Sequence, residues 1–224
     1  MVKLYEMLGS GIYTLREAAL YARVSPQMIS RWLFGSRKGK AVIVPQFANG
    51  ERLVSFLDLV QTVAIKEITL QRKVPLSKIR QAIKIAKQKY NMDYPFARDN
   101  VTYLLGDVLV IQPNEAEYIA IPRRAEGQRL FRFVESYLSK LGFDSEGLAN
   151  LYQIYAWQDV PIVMKPGIKF GEPLLPSGYS AMTLWESIKT EGGIDQAAKV
   201  YGIPNDEIEA SYSFFVDHLG KTAA

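Results

Sequence analysis

The sequence has no cysteine and a single histidine, His218, among its 224 residues. Without thiols there are no disulfides, no thiolate metal sites and no cysteine nucleophile. With one histidine, His-based metal clusters cannot form, and a Ser-His-Asp triad would have to take its base from the chain's last few residues, where a surface histidine is the simpler reading. The chain also lacks any apolar run approaching the roughly 18 residues needed to cross a bilayer. Met1–Leu8 mixes Lys3 and Glu6 with apolar residues instead of forming a secretory signal. Gly9-Ser10-Gly11 and Gly192-Gly193 lack the strand-loop-helix setting and the following lysine of a phosphate-binding loop. Together these absences predict a cytoplasmic protein that is not an enzyme, needs no cofactor or metal, and does not engage a membrane.

What the chain does have is 48% hydrophobic and 12% aromatic content, enough to bury a substantial core. A net charge of +4 conceals an asymmetry. Up to Asn100 there are 17 Lys and Arg against 7 Asp and Glu, giving 17 − 7 = +10, whereas the remainder has 10 against 16, giving −6. One half is suited to a polyanion and the other is not.

The basic half begins with helix signals. Thr14 and Glu17 have capping-box spacing, and Leu15, Ala18, Ala19 and Ala22 share one face, predicting a helix over Thr14–Ala22. Ser25-Pro26 then suits a cap followed by the first helical position, because proline lacks the N–H that would be orphaned there. Met28, Ile29, Trp32 and Leu33 form the inward stripe of this second helix, Gln27, Ser30 and Arg31 project on the other side, and Gly35 ends it.

Two short helices with a tight connection make a helix-turn-helix, whose second helix can enter a DNA major groove. Arg31 has the donors to read guanine and Gln27 the amide to pair with adenine, with Ser30 between them. The basic loop Arg37-Lys38-Gly39-Lys40 would meet phosphates. Ala41–Phe47, a turn at Asn49-Gly50 and Arg52–Phe56 read as a β-hairpin wing, with Pro45 on its edge strand. Further helices are expected over Ser55–Arg72, with Ser55 and Asp58 as a capping pair, and from Pro75 to Tyr90, with Ile79, Ile83, Ala86 and Tyr90 inward.

Tyr13–Ala19, the Val24-Ser25-Pro26 step, the Trp32–Gly35 helix end, the wing and Val74–Ile79 together resemble the DNA-binding domain of MerR-type regulators over residues 10 to 90. The wing lacks that family's usual Arg-Arg-Tyr. The resemblance implies a winged helix-turn-helix.

Beyond it, Val101–Leu105, the Gly106-Asp107 turn and Val108–Ile111 predict another hairpin. Gly127–Lys140 predicts a helix, followed by a loop at Gly142-Phe143-Asp144 and a shorter helical stretch. After a strand at Ile162–Met164 and a turn-rich loop, three helices are expected at Ala181–Thr190, Ile194–Tyr201 and Asn205–Leu219, the last opened by an Asn or Asp cap. Asp206, Glu207 and Glu209 suit a helix N-terminus better than a magnesium site. Trp157, Trp185, Tyr212, Phe214 and Phe215 read as core before partner-facing surface.

Pro166, Gly171-Glu172-Pro173, the Gly178–Leu184 helix entry, Ile194-Asp195 and Tyr201–Ile208 resemble the small helical domain of VapB-type antitoxins, first catalogued as a domain of unknown function and often encoded beside PIN-type nuclease toxins. Ser177–Ser180 departs from that group's Gly-Thr-Arg entry, so no role attached to that Thr and Arg carries over.

The combined expectation is a mainly α, α+β chain. It comprises a winged helix-turn-helix domain over 1–92, a mixed connecting region over 93–158 and a C-terminal helical domain over 159–224. The resemblance implies a homodimeric antitoxin and repressor that binds operator DNA through Gln27, Ser30, Arg31, Arg37, Lys38 and Lys40 and docks a PIN-type toxin. A MerR-like regulator sensing a small molecule is the second reading. A protein using the helix-turn-helix only as a packing scaffold is the third.

Overall fold

The computed structural model describes residues 9–37, 39–47, 52–71, 74–99, 103–104, 109–110 and 136–221. The fold is α+β and, among the described residues, divides into two compact units, one holding residues 13–150 and the other residues 9–12 and 151–221.

Strand β1 (Ile12–Tyr13) leads into α1 (Leu15–Ala22) of the first unit, and α2 (Pro26–Phe34) follows. Both starts are built as their sequences imply. The Thr14 hydroxyl accepts from the Glu17 N–H at 3.2 Å while the Glu17 carboxylate accepts from the Thr14 N–H at 2.8 Å. The Ser25 hydroxyl accepts from the Met28 N–H at 3.2 Å, with Pro26 in the first turn. Ala18, Ala19 and Ala22 of α1 and Ile29, Trp32 and Leu33 of α2 are buried, so the two helices close over small-to-large contacts.

The expected wing does not form among the described residues. Residues 41–47 carry no strand, and Arg52–Phe56 contributes only β2 (Val54–Ser55), which pairs with β1. The reason is local. Val42 and Ile43 are consecutive and both buried, which breaks the alternation a strand needs, and both of their N–H groups donate to the Trp32 carbonyl, at 2.6 and 3.3 Å. Pro45 has no N–H to offer a ladder. The Asn49-Gly50 turn lies outside the described residues.

Helix α3 (Phe56–Lys66) continues as a π-helical turn over Glu67–Gln71, so the helix expected over Ser55–Arg72 is present in two forms. Its Ser55–Asp58 capping box is complete, and residues 56–65 are buried on every side of the helix rather than along one stripe. Helix α4 (Leu76–Tyr90) buries Ile79, Ala82 and Ala86, whereas Tyr90, expected inward, is exposed. Strands β3 (Tyr103–Leu104) and β4 (Leu109–Val110) pair antiparallel as the predicted hairpin, whose turn lies outside the described residues. Of the helix expected over Gly127–Lys140, only residues 136–138 are described as helical. There the Tyr137 hydroxyl donates to the carbonyls of Val60 (2.9 Å) and Phe96 (3.1 Å).

The short helical stretch expected after Asp144 is instead a nine-residue strand. β5 (Leu141–Phe143), β6 (Ala149–Trp157), β7 (Val160–Met164) and β8 (Pro173–Leu174) form one sheet in that order. The β6–β7 register shifts between Gln153 and Tyr155, and this bulge interrupts the two-residue period that would have marked the strand in the sequence.

Helices α5 (Ala181–Thr190) and α6 (Ile194–Tyr201) have the bounds the sequence predicts, and α7 (Asn205–Ser213) runs on as a π-helical turn over Phe214–His218. No Asn or Asp side chain caps α7. Pro204 holds the cap position, and the Asn205 amide donates to Asp195 at 2.5 Å. Glu207 is buried and anchors a loop, accepting from the Ser177 N–H (3.0 Å) and hydroxyl (2.5 Å). Phe214 and Phe215 are core residues, and His218 is half-buried, its ring 4.7 Å from that of Tyr155.

Candidate nucleic-acid interface

The outer edge of α2 is where the predicted reading residues fall. Because Ile29, Trp32 and Leu33 are drawn inward, helical geometry turns Gln27 and Arg31 outward, and both are exposed. Ser30 is half-buried, and its hydroxyl accepts from Arg52 Nη1 at 3.3 Å. The Arg52 guanidinium also lies 5.6 Å from the centroid of the Phe34 ring. Arg52 thus joins the edge of α2, a placement that reading it as a wing-strand residue did not supply.

Beyond Phe34 the chain turns sharply. Gly35 has φ of +74°, and a Cβ there would come within 3.0 Å of both Gly39 O and Ala41 N, so only glycine fits. Ser36 and Gly39 exchange hydrogen bonds of 2.8 and 3.1 Å, closing a four-residue turn. Arg37 and Lys40 are exposed on it, and Lys38 lies outside the described residues. Phe34, Gly35, Ser36, Arg37, Gly39, Lys40 and Ala41 line an open depression of about 420 Å³.

Two long-range anchors hold this loop. Arg80 of α4 donates from Nε to the Ala41 carbonyl (3.0 Å) and from Nη2 to the Lys40 carbonyl (2.8 Å). The sequence shows Arg80 only as one cation among several on α4. Further on, the buried Asp58 carboxylate accepts from the Gln46 N–H at 3.2 and 3.3 Å and from the Ser55 N–H at 3.1 Å. Burial raises the Asp58 carboxyl to about 6 despite these donors, which act in the opposite direction. Tyr94 is raised as well, first by burial and then by the negative charges of Asp58 and Asp93.

The arrangement presents an exposed amide, a hydroxyl and several guanidinium and ammonium donors on a rigid helix and the pinned loop that follows it. Such donors match base edges and phosphate oxygens. Among the described residues, no group of three or more His, Asp or Glu is placed to hold a metal ion, and no helix is long and apolar enough to cross a membrane.

No protein-family model and no curated protein matches the sequence. Among solved structures, the X-ray crystal structure of Rv2018 from Mycobacterium tuberculosis aligns with a TM-score of 0.63 at 18% identity, covering 89% of this chain and 96% of that one. At that identity, the chain shares with Rv2018 an α+β fold across most of its length, and the likeness extends to fold alone.

Proposed function

We propose that this chain is a DNA-binding antitoxin and autorepressor of a type II toxin-antitoxin system, acting in the cytoplasm as a homodimer and neutralising a PIN-type nuclease. The observation that carries the DNA half is the exposed edge of α2, with Gln27 and Arg31 free to reach a groove and Arg37 and Lys40 following on an anchored loop. Ser30, already engaged by Arg52, would position that arginine for a phosphate or serve as a reader after exchanging its partner. For the protein-binding half, the support is the exposed apolar pair Ile168 (47%) and Phe170 (63%) in the second unit, the kind of surface a protein partner covers.

Binding-site selection with Arg31→Ala tests the reading. Loss of a bidentate base contact is worth about 1–3 kcal/mol, so affinity should fall roughly fivefold or more and one operator position should lose its preference. Unchanged specificity would remove Arg31 from the interface.

One observation favours the small-molecule regulator as a second reading. Gln61 Oε1 and Thr62 Oγ1, buried on α3 near Asp58, have no hydrogen-bond partner, and such groups are ones a small polar ligand could satisfy. Copurification with the product of the neighbouring gene separates the two readings, because only the antitoxin requires that complex.

A further inference from the structure

The second unit repeats the helix-turn-helix of the first. Helix α6 has eight residues, as α1 does, and α7 has nine, as α2 does. Both pairs of helix starts are offset by the same interval, 194 − 15 = 179 and 205 − 26 = 179. The connections match in conformation as well as in length. Arg23 (φ 54°, ψ 51°) and Gly202 (φ 64°, ψ 36°) are both left-handed. The next N–H reaches back to the same carbonyl in each, Val24 to Ala19 at 3.0 Å and Ile203 to Ala198 at 3.1 Å. Ser25 and Pro204 then take the same extended cap conformation. Equivalent core positions agree too: Ala18-Ala19 with Ala197-Ala198, and Ile29 with Ile208, all buried.

The groove-facing positions do not agree. In place of exposed Gln27 the second copy has exposed Asp206, and in place of Ser30 it has Glu209. In place of exposed Arg31 it has Ala210, fully buried, beside Ser211, whose hydroxyl donates to the Ala181 carbonyl at 2.6 Å as α5 packs on α7. In place of Gly35, which opens the basic loop, Phe214 is buried within the continuing helix. The second copy therefore has carboxylates at two of the three groove-facing positions, where they would repel the polyanion, and a neighbouring helix packed over the third.

Resting on the DNA-binding reading above, we infer that DNA recognition by this chain is single-headed. The α1–α2 pair meets the duplex, and the α6–α7 pair keeps the scaffold but is closed to DNA. Each protomer then covers one half-site, and a dimer covers two.

The absence of cysteine makes the test direct. Gln27→Cys and Asp206→Cys place a thiol at equivalent exposed positions of the two copies in the full chain. Labelling rates with a thiol-reactive dye are measured with and without a saturating DNA duplex obtained by binding-site selection. The expected result is at least tenfold slower labelling of Gln27→Cys on the duplex and no change for Asp206→Cys. Protection of Asp206→Cys would overturn the single-headed assignment while leaving DNA binding intact. An unprotected Gln27→Cys, or a wild-type chain that enriches no duplex in the selection, would overturn the assignment together with the DNA-binding reading on which it rests.

Discussion

The α1–α2 and α6–α7 pairs share helix lengths, spacing and the conformation of the connecting turn, yet one leaves its second helix open and the other packs it against α5 and β7. In α2 only Ile29, Trp32 and Leu33 are buried, and Gln27 and Arg31 on the outer edge stay exposed. In α7, Ala210, Ser211 and Ser213 are small enough for α5 and β7 to approach closely, and those positions leave the surface. The lesson is that a helix-turn-helix is a packing solution first. Whether it can read DNA depends on what the rest of the unit does with the second helix.

The sharpest way to break the equivalence is at its shared core. Ile29→Ala and Ile208→Ala each leave a cavity at a fully buried position, and each should cost about 3 to 4 kcal/mol in urea denaturation. A near-neutral result at one site would mean that the two pairs are not built on the same contact.

Each unit also tethers a loop with a buried carboxylate, Asp58 for Gln46 and Glu207 for Ser177. Asp58 is raised from 3.8 to about 6 in the folded protein, which therefore holds this proton more tightly than the unfolded chain does. Its contribution to stability is greatest below about pH 4, falls as pH rises from 4 through 6, and stays at the lower level above that, a difference of about 3 kcal/mol. Asp58→Asn should remove that slope, seen as a gap between mutant and wild-type unfolding free energies that changes by about 2 kcal/mol from pH 4 to 7. A constant gap would show that burial does not dominate at Asp58.

The smallest effect belongs to the loop that only the first copy possesses. Arg80→Ala removes two donors from the Lys40 and Ala41 carbonyls and should cost about 1 to 2 kcal/mol, with a few-fold weaker grip on DNA. Arg80→Lys, able to reach one carbonyl at a time, should recover part of both. An Arg80→Ala chain that binds DNA as tightly as wild type would make the anchor irrelevant to the interface.

Much of this organisation is legible in the sequence where the cause is local. Thr14 and Glu17, Ser25 and Pro26, and Ser55 and Asp58 announce helix starts because each cap involves residues three apart. The glycines around α6 announce its ends. The sequence points to a wing because Asn49-Gly50 is a strong turn signal, while the competing demand, two consecutive amides bound to the Trp32 carbonyl, is tertiary. Strand β6 was missed because its bulge hides the period. The second helix-turn-helix shows in the sequence only as a recurring Ala-Ala and a later isoleucine, too little to recognise without the matching left-handed turn.

Sequence alone determined the starts of α1, α2, α3, α5 and α6, the concentration of positive charge before Asn100 and the residue types on the outer edge of α2, since capping, periodicity and charge are properties of neighbours. Tertiary structure alone decided that Arg80 would hold a loop 39 and 40 residues away, that Arg52 would join α2, and that Ala210 would be sealed while Arg31 stays open. Those outcomes follow from which surfaces meet when the core closes, and burial is settled by the whole packed unit rather than by any stretch of chain within it.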